Sequence, residues 1–579
     1  MQRSPNKTCQ TLRAVLFFAF LFLLATACQQ PAASTVVVAD ALPTITPPPT
    51  AILPAVVIPP ATPTPQPVAT EMMVPTVLPT ATAVSTPLPL QNPPNDTLAA
   101  QAAGLEVPLM LLDGRNTGIW QYPANSFIHP LALVWLGDKA FLLDTGRVLQ
   151  LDLASPQPPT VLLAPGDSVE GMLVQEPLDL TADSSGLYVL DRVGDVYRTE
   201  WGSGVWQLDR YDRPARDRSS HYLVAVAAAE NGRFLLETNY KYAMRYLGEE
   251  ESLWTLPENA RNIDITVVGD AVYILALPND GAKPTLTRYR GGSIDTMFRP
   301  FVEIAQPRQV VATETAVYVL DQDGRRLLQF DPANGALIAI WQPPQDDPVS
   351  SFAVAGDQLL LAGRNRLYFY QQPGRQTAIA GEPLLPAVPL PHDPQWLAAL
   401  PPLLMPIGGS DITSRDLQLP GAPRHYRLGI HAGLDLYWGA GTAVRAAASG
   451  TVIRATHDYV PPEPWRYEVW HNEAQTLGYS SPEALDFYRG RQVWIAHDDG
   501  LVSRYVHLES IDPAVVEGSR VERGQRLGTV GNSGSPASQF SPTEDAHLHF
   551  ELWIGDYYLG EFLRPVEVRE WFARLLVNQ

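Results

Sequence analysis

The sequence predicts an all-β protein: a β-propeller-like body of six blades followed by a further strand-rich domain. Three observations carry this expectation. A phrase made of a turn, an apolar strand, a short polar or glycine turn and an alternating strand recurs six times between about residues 105 and 375. Its period of about 39–47 residues suits four-stranded propeller blades rather than helical solenoids. Beyond the repeats, glycine-punctuated runs such as IHAGLDLYWGAGTAVRAAASGTVIR read as extended chain, since Gly433, Gly439 and Gly441 disfavour a long helix.

The copies start at Gly137 (GDKAFLLDTGRVLQLDL), Ser185 (SGLYVLDRVGDVYRTEW), Asn231, Gly269, Thr315 and Gly356. Each reads as a β-hairpin. The segment VPLMLLDGRNTGIW at 107–120 either completes the last blade or begins a seventh. His129 and His221 stand alone in this region and read as packing or surface residues. The body is expected to bind or space, with an unknown ligand or protein as its partner.

With 579 residues the chain has room for two to four domains. The formal charge of −20, spread along the chain without a Lys/Arg cluster, argues against a nucleic-acid partner. Arg3, Lys7 and Arg13 precede the apolar run AVLFFAFLFLLATA, which ends at Cys28. A basic head, a run too short for a membrane span and small residues before a cut site predict an export signal over 1–27. ATAC at 25–28 resembles the bacterial lipobox, which implies lipidation of Cys28 and a membrane anchor facing the cell-envelope exterior. Cys9 lies inside the signal, so a chain starting at Cys28 has no disulfide. Residues 28–103, rich in Pro and Thr, cannot bury a core and read as an extended stalk. The propeller-like body is expected over 104–376, a proline-rich linker containing GEPLLPAVPLPHDPQW over 377–406, and the last domain over 407–579.

Eight of the eleven histidines fall between His425 and His549. In extended chain, His431 and Asp435 share a face, as do His547 and His549 of HLHFE, while His507 ends the apolar strand RYVHL. Two imidazoles and one carboxylate form a catalytic zinc set, and zinc lowers the pKa of a bound water towards ~7. The segments HAGLDLYWGAGTAVRAAASGTV, RYVHL, RGQRLGTVGNSG and HLHFE, within roughly 407–567, together resemble the lysostaphin-type zinc metallopeptidases of bacterial cell walls. The resemblance implies Zn2+ ligands His431, Asp435 and His549, and catalytic roles for His507 and His547. It also implies a small antiparallel β-sheet domain and endopeptidase action on peptidoglycan peptides. A non-catalytic peptidoglycan-binding or hydrolase-activating protein of the same fold is the alternative, which the five filled positions disfavour.

This chain departs from the family pattern at Ala443 and Ala546, where proline is usual, and in an insertion between Arg454 and Val493. Tyr459, Trp465, Tyr467 and Trp470 of that insertion either cover the groove or pack among themselves. His425, His457 and His471 are expected at the surface, and His497 is expected to pack beside the site.

Overall fold

The computed structural model describes residues 109–111, 117–121, 127–153, 159–210, 221–370, 378–380 and 392–578, apart from isolated single positions. The signal at 1–27, Cys28, the stalk at 28–103 and the stretch 381–391 of the linker lie outside the described residues.

Six sheets follow one another from residue 130 to residue 370. Their first strands are Pro130–Leu136, Pro177–Ala182, Leu223–Ala229, Ala260–Val268, Gln309–Ala312 and Ser351–Ala355, which open blades I to VI. Each strand pairs antiparallel with the next, outward from the first. The first strands meet their neighbours around a circle that closes where Ser351–Ala355 contacts Pro130–Leu136. The second strands are buried on both faces because apolar clusters fill the gaps between blades; Leu187 and Val189 of blade II, for example, pack with Phe141 and Leu143 of blade I.

Blade VI has three strands of its own, and its fourth is Thr117–Gln121, antiparallel to Arg366–Tyr370 with Ile119 opposite Tyr368. The 107–120 segment therefore opens no seventh blade: Thr117–Gln121 completes the last one, and Leu109–Leu111 adds parallel to Leu337–Gln342 of blade V. A buried acid recurs at the end of the second strand and ties down the loop that enters the same blade. Asp144 accepts from the amides of Ile128 and His129, Asp191 from Gln175 and Glu176, and Asp321 from Ala305 and Gln306. Unpaired amides would be costly there, and a carboxylate satisfies two at once.

The C-terminal part is built on one twisted antiparallel sheet. Its strands are β1 (Leu434–Tyr437), β2 (Gly450–Ala455), β3 (Val493–Ala496), β4 (Val502–Val506), β5 (Arg520–Val521), β6 (His547–Ile554) and β7 (Tyr557–Tyr558). The order is β1–β6–β4–β3–β2–β5, with β7 on β6. A smaller sheet of Ala443–Arg445, Arg526–Val530 and Leu508–Ile511 packs with it around Leu434, Leu436, Tyr505, Leu548, Phe550 and Leu552. Four helices flank the sheets: α1 (Pro394–Ala399), α2 (Trp465–Leu477), α3 (Pro482–Arg489) and α4 (Pro565–Leu575). Helices α2 and α3 are the insertion. They carry their own small core, in which Tyr467, Ala484 and Tyr488 pack with Tyr426, Trp470 and Phe487.

This part is bolted to the propeller through buried polar contacts. Arg564, just before α4, donates from Nη2 to the Leu131 carbonyl at 2.8 Å and to Asp179 at 3.2 Å. Its Nη1 lies 3.2 Å from the Arg308 carbonyl and 3.8 Å from Asp264. Those partners lie in or immediately before the first strands of blades I, II, V and IV, two opposed pairs, so the guanidinium sits on the axis of the ring. Nearby, buried Glu176 accepts from Tyr558 Oη at 2.8 Å and the Phe562 amide at 2.6 Å, and pairs with Arg192 at 3.0 Å.

Candidate metal centre

The register of the sheet assembles the site. Across the β1–β6 ladder Asp435 lies opposite His549 and Tyr437 opposite His547; across β4–β6, Val506 lies opposite His549. Successive residues of a strand alternate faces, so His547, His549 and Glu551 of β6 point to one side. Leu548, Phe550 and Leu552 point to the core. His507 follows the last residue of β4 and has a left-handed backbone, φ 64°. That conformation is sparsely populated for residues other than glycine and recurs at functional sites. It is fixed by the His507 amide donating to the Arg489 carbonyl at 3.2 Å and by Nδ1–H donating to the Ser533 carbonyl at 2.7 Å.

His431 was expected in an extended strand with Asp435. It instead follows the short strand Gly429–Ile430, its amide donating to the Ala422 carbonyl, and a bend at Gly433 separates it from β1. Gly433 makes the bend feasible: a Cβ there would lie 2.7 Å from the Phe550 carbonyl oxygen and 2.9 Å from the His549 ring.

Three donor atoms converge, all on buried residues. His431 Nε2 lies 2.8 Å from Asp435 Oδ1 and 2.8 Å from His549 Nδ1, which is itself 2.9 Å from Asp435 Oδ1. The tautomers follow from the other ring nitrogens. His431 Nδ1 faces the Leu419 carbonyl at 2.8 Å and His549 Nε2 faces Glu551 at 2.9 Å, and both partners only accept. Each imidazole therefore turns a lone pair towards the centre. Two lone pairs and a carboxylate oxygen at such distances repel unless a cation lies between them, so the donor set fits a divalent metal.

The electrostatics agree with deprotonated His431 and Asp435. Burial, with the Arg424 cation adding to it, pushes His431 down to about 3 against the pull of Asp435. Burial acts to raise Asp435, but His431 and His547 hold its carboxyl well below the usual range. His549 is the exception: burial acts to lower it, but the carboxylates of Asp435 and Glu551, one at each ring nitrogen, outweigh burial and raise it while no cation stands between the donors. Burial, then His547 and His549, keeps His507 well below its ordinary value and so neutral. His547 donates Nδ1–H to the Asp545 carbonyl at 2.6 Å, stacks on Tyr437 and points Nε2 towards Asp435 Oδ1, 3.7 Å away. The ring centroids of His507 and His547 are 4.9 Å apart.

All five residues singled out in the sequence thus meet in one place. Around them stand groups that the sequence reading missed. Arg424 donates to Asp435 Oδ2 at 2.8 Å, and Glu551 holds His549 while pairing with Arg489 and Arg504 at 2.9 and 3.3 Å. Glu551 was readable from alternation along HLHFE; Arg489, at the end of an inserted helix, left no signal. His497 packs away from the centre, between the Ser449 carbonyl and Ser503 Oγ. His425 and His471 are buried rather than exposed, because each bonds a carbonyl of an adjoining segment, Val193 and Tyr426 respectively. His457 is exposed, as expected, and bonds the Val515 carbonyl.

The centre opens into a cavity of about 1280 Å³. The propeller supplies part of its wall through Gln175, Tyr240 and Lys241. The insertion supplies Tyr479, Ser480, Leu485, Tyr488 and Arg489, and not the four aromatic residues expected there.

Residues 429–559 match Peptidase family M23. A segment of 67 residues is 40% identical to the peptidoglycan DD-endopeptidase ShyA of Vibrio cholerae, covering 12% of this chain and 14% of that protein. Among solved structures, YCF48 bound to D1 peptide is 11% identical over 46% of this chain and 97% of that one, with a TM-score of 0.32. YCF48 from Cyanidioschyzon merolae is 14% identical over 41% and 81%, with a TM-score of 0.28. With Asp435 and His549 facing each other in its sheet and the family match spanning both, the C-terminal part of this all-β chain is a lysostaphin-type domain of Peptidase family M23.

Proposed function

We propose that the protein is a zinc-dependent endopeptidase that cleaves peptide bonds of bacterial peptidoglycan. The observation that carries this reading is the convergence of the His431, Asp435 and His549 donors beside two further imidazoles whose free nitrogens face the same space. The likeness of part of the domain to a peptidoglycan DD-endopeptidase supports the substrate class.

His431, Asp435 and His549 would hold the ion, which when bound supplies a Lewis acid and lowers the pKa of water. Leu419, through its carbonyl, and Glu551 fix the two imidazoles in the tautomers a metal requires. Neutral His507, anchored through Nδ1–H, keeps Nε2 unprotonated and able to accept a proton from the attacking water. His507 then returns that proton from Nε2 to the leaving amine, and His547, anchored in the same way, stabilises the developing oxyanion when its Nε2 carries a proton.

The same proposal has the chain exported, lipidated at Cys28 and held at the cell membrane through the 28–103 stalk, with the propeller at 104–376 joined by the 377–406 linker to the peptidase at 407–579. The test uses the full-length protein, since Arg564 ties the two bodies together. It is incubated with purified peptidoglycan with zinc, with a chelator, and as His549→Ala, and new amino termini are followed by mass spectrometry. Termini that appear with zinc and vanish with chelator and in the variant are expected. Their absence from zinc-loaded wild type would overturn the reading.

A further inference from the structure

Four arginines in the described residues are buried to nine-tenths or more: Arg192, Arg288, Arg427 and Arg564. Three face a carboxylate: Arg192 meets Glu176 at 3.0 Å, Arg288 meets Asp295 at 2.7 Å and Arg564 meets Asp179 at 3.2 Å. Arg427 does not. It is 7% exposed, its Nη2 donates to the Ile430 carbonyl at 2.8 Å, and its Nη1 has no partner.

A guanidinium stays protonated wherever it is placed, so burial without an anion is a standing cost. The surroundings raise that cost. Burial is the first influence acting against the charge, and the Arg424 and Arg489 cations add to it, while the Tyr426 hydroxyl only partly opposes them. Arg424 and Arg489 are committed to Asp435 and Glu551. Arg427 is the cation of this trio left without a carboxylate.

Its position gives that vacancy a meaning. Arg427 lines the same cavity as His431, His507 and His549, next to Tyr426 and Ser480. The chain around it is held from three sides. Ser480 Oγ donates to the Arg427 carbonyl. Gln175 of the propeller reaches the Leu428 and Gly478 carbonyls at 3.4 and 3.3 Å. Leu428 has a left-handed backbone, φ 50°. A clamped, strained turn that carries an unpaired buried cation beside a reaction centre has the form of a ligand clamp. Turning the fork towards the cavity gives up the bond to Ile430 and the contact with Tyr426, whose ring centroid lies 6.0 Å from the guanidinium carbon, and breaks no ion pair.

We propose that Arg427 receives a free carboxylate of the substrate, so that the cavity selects acidic peptides over their amidated forms. This rests on the peptidase reading for the identity of the substrate, but the carboxylate preference is measured apart from cleavage. Full-length protein kept metal-free with chelator is titrated with the pentapeptide L-alanyl-D-glutamyl-L-lysyl-D-alanyl-D-alanine, carboxylates free, and with the same peptide amidated. Wild type is expected to bind the free acid about tenfold more tightly, as a charge-assisted contact supports, and to lose the preference as salt rises. Arg427→Gln is expected to bind both forms within about twofold, and Arg427→Lys to keep part of the preference. Should the glutamine variant fail to fold, the lysine variant and the salt series still decide. Equal binding of the two forms by wild type, no binding of the acid form, or an undiminished preference in Arg427→Gln would overturn the proposal. A retained preference in a zinc-loaded protein that cuts no peptidoglycan would overturn the peptidase reading and leave this one standing.

Discussion

Nε of Arg489 lies 2.9 Å from Oε1 of Glu551, and that same oxygen lies 2.9 Å from Nε2 of His549. An inserted helix thus reaches the metal centre through one carboxylate. Partners in this position typically change metal affinity or activity by roughly 10–100-fold when removed. Arg489→Gln is therefore expected to weaken metal binding by that order while the fold persists, read by competition with a chromophoric chelator and by near-ultraviolet circular dichroism. Unchanged affinity would mean that Arg504 Nη1 and Trp553 Nε1, which both donate to Glu551 Oε2, hold it unaided.

Gly433→Ala tests the close approach of the bend after His431 to β6. The new Cβ would meet the Phe550 carbonyl at 2.7 Å and the His549 ring at 2.9 Å, so one of them must shift. A stability loss of about 1–3 kcal/mol in urea unfolding is expected, together with weaker metal binding. If both quantities match wild type, His549 is not held by this contact.

Arg564→Ala removes the cation on the propeller axis and leaves Asp179 and Asp264 buried without it. Breaking such an arrangement costs about 3–5 kcal/mol. Urea unfolding is expected to begin earlier and to separate into two steps as the propeller and the C-terminal part uncouple. A single transition at the wild-type midpoint would rule out a clamping role.

His392 predicts a pH dependence of stability. It is fully buried, donates Nδ1–H to the Glu561 carbonyl at 2.9 Å, and burial pushes it down to about 3. The unfolded chain takes up a proton below about 6.5, and the folded protein refuses it until about 3. The stability linked to this residue is thus complete above about 6.5 and lost as pH falls towards 3, at up to about 1.4 kcal/mol per unit. His392→Phe is expected to flatten the fall across that window, measured by unfolding at a series of pH values. An identical slope in the variant would show that His392 is protonated in the folded state.

Sequence and structure meet most closely where the signal is local. Six hairpin phrases were legible because strand alternation and glycine turns are short-range, and the five site residues because they sit inside dense motifs. What escaped was long-range. That Thr117–Gln121 closes the ring depends on which strand is left without a neighbour, and 107–120 alone was compatible with two outcomes. His425 and His471 looked like surface residues because the carbonyls that bury them, Val193 and Tyr426, belong to segments brought close only by tertiary packing. Arg489 and Arg427 gained their significance from what faces them, or fails to. Glu551 could have been taken from the alternation of HLHFE, two residues beyond His549.

The strand that closes blade VI also sets a timetable. Thr117 pairs with Tyr370 across about 250 residues of chain, and the axial Arg564 arrives later still. During synthesis the early strand must wait without its partners while every intervening blade emerges, and a ring that lacks its seam exposes open edges. Such distant pairing makes folding slow, and the final locking step waits for Arg564. A cavity wall shared between propeller and C-terminal part therefore comes into being only once Arg564 has been made, and a fragment that stops before it has no complete cavity.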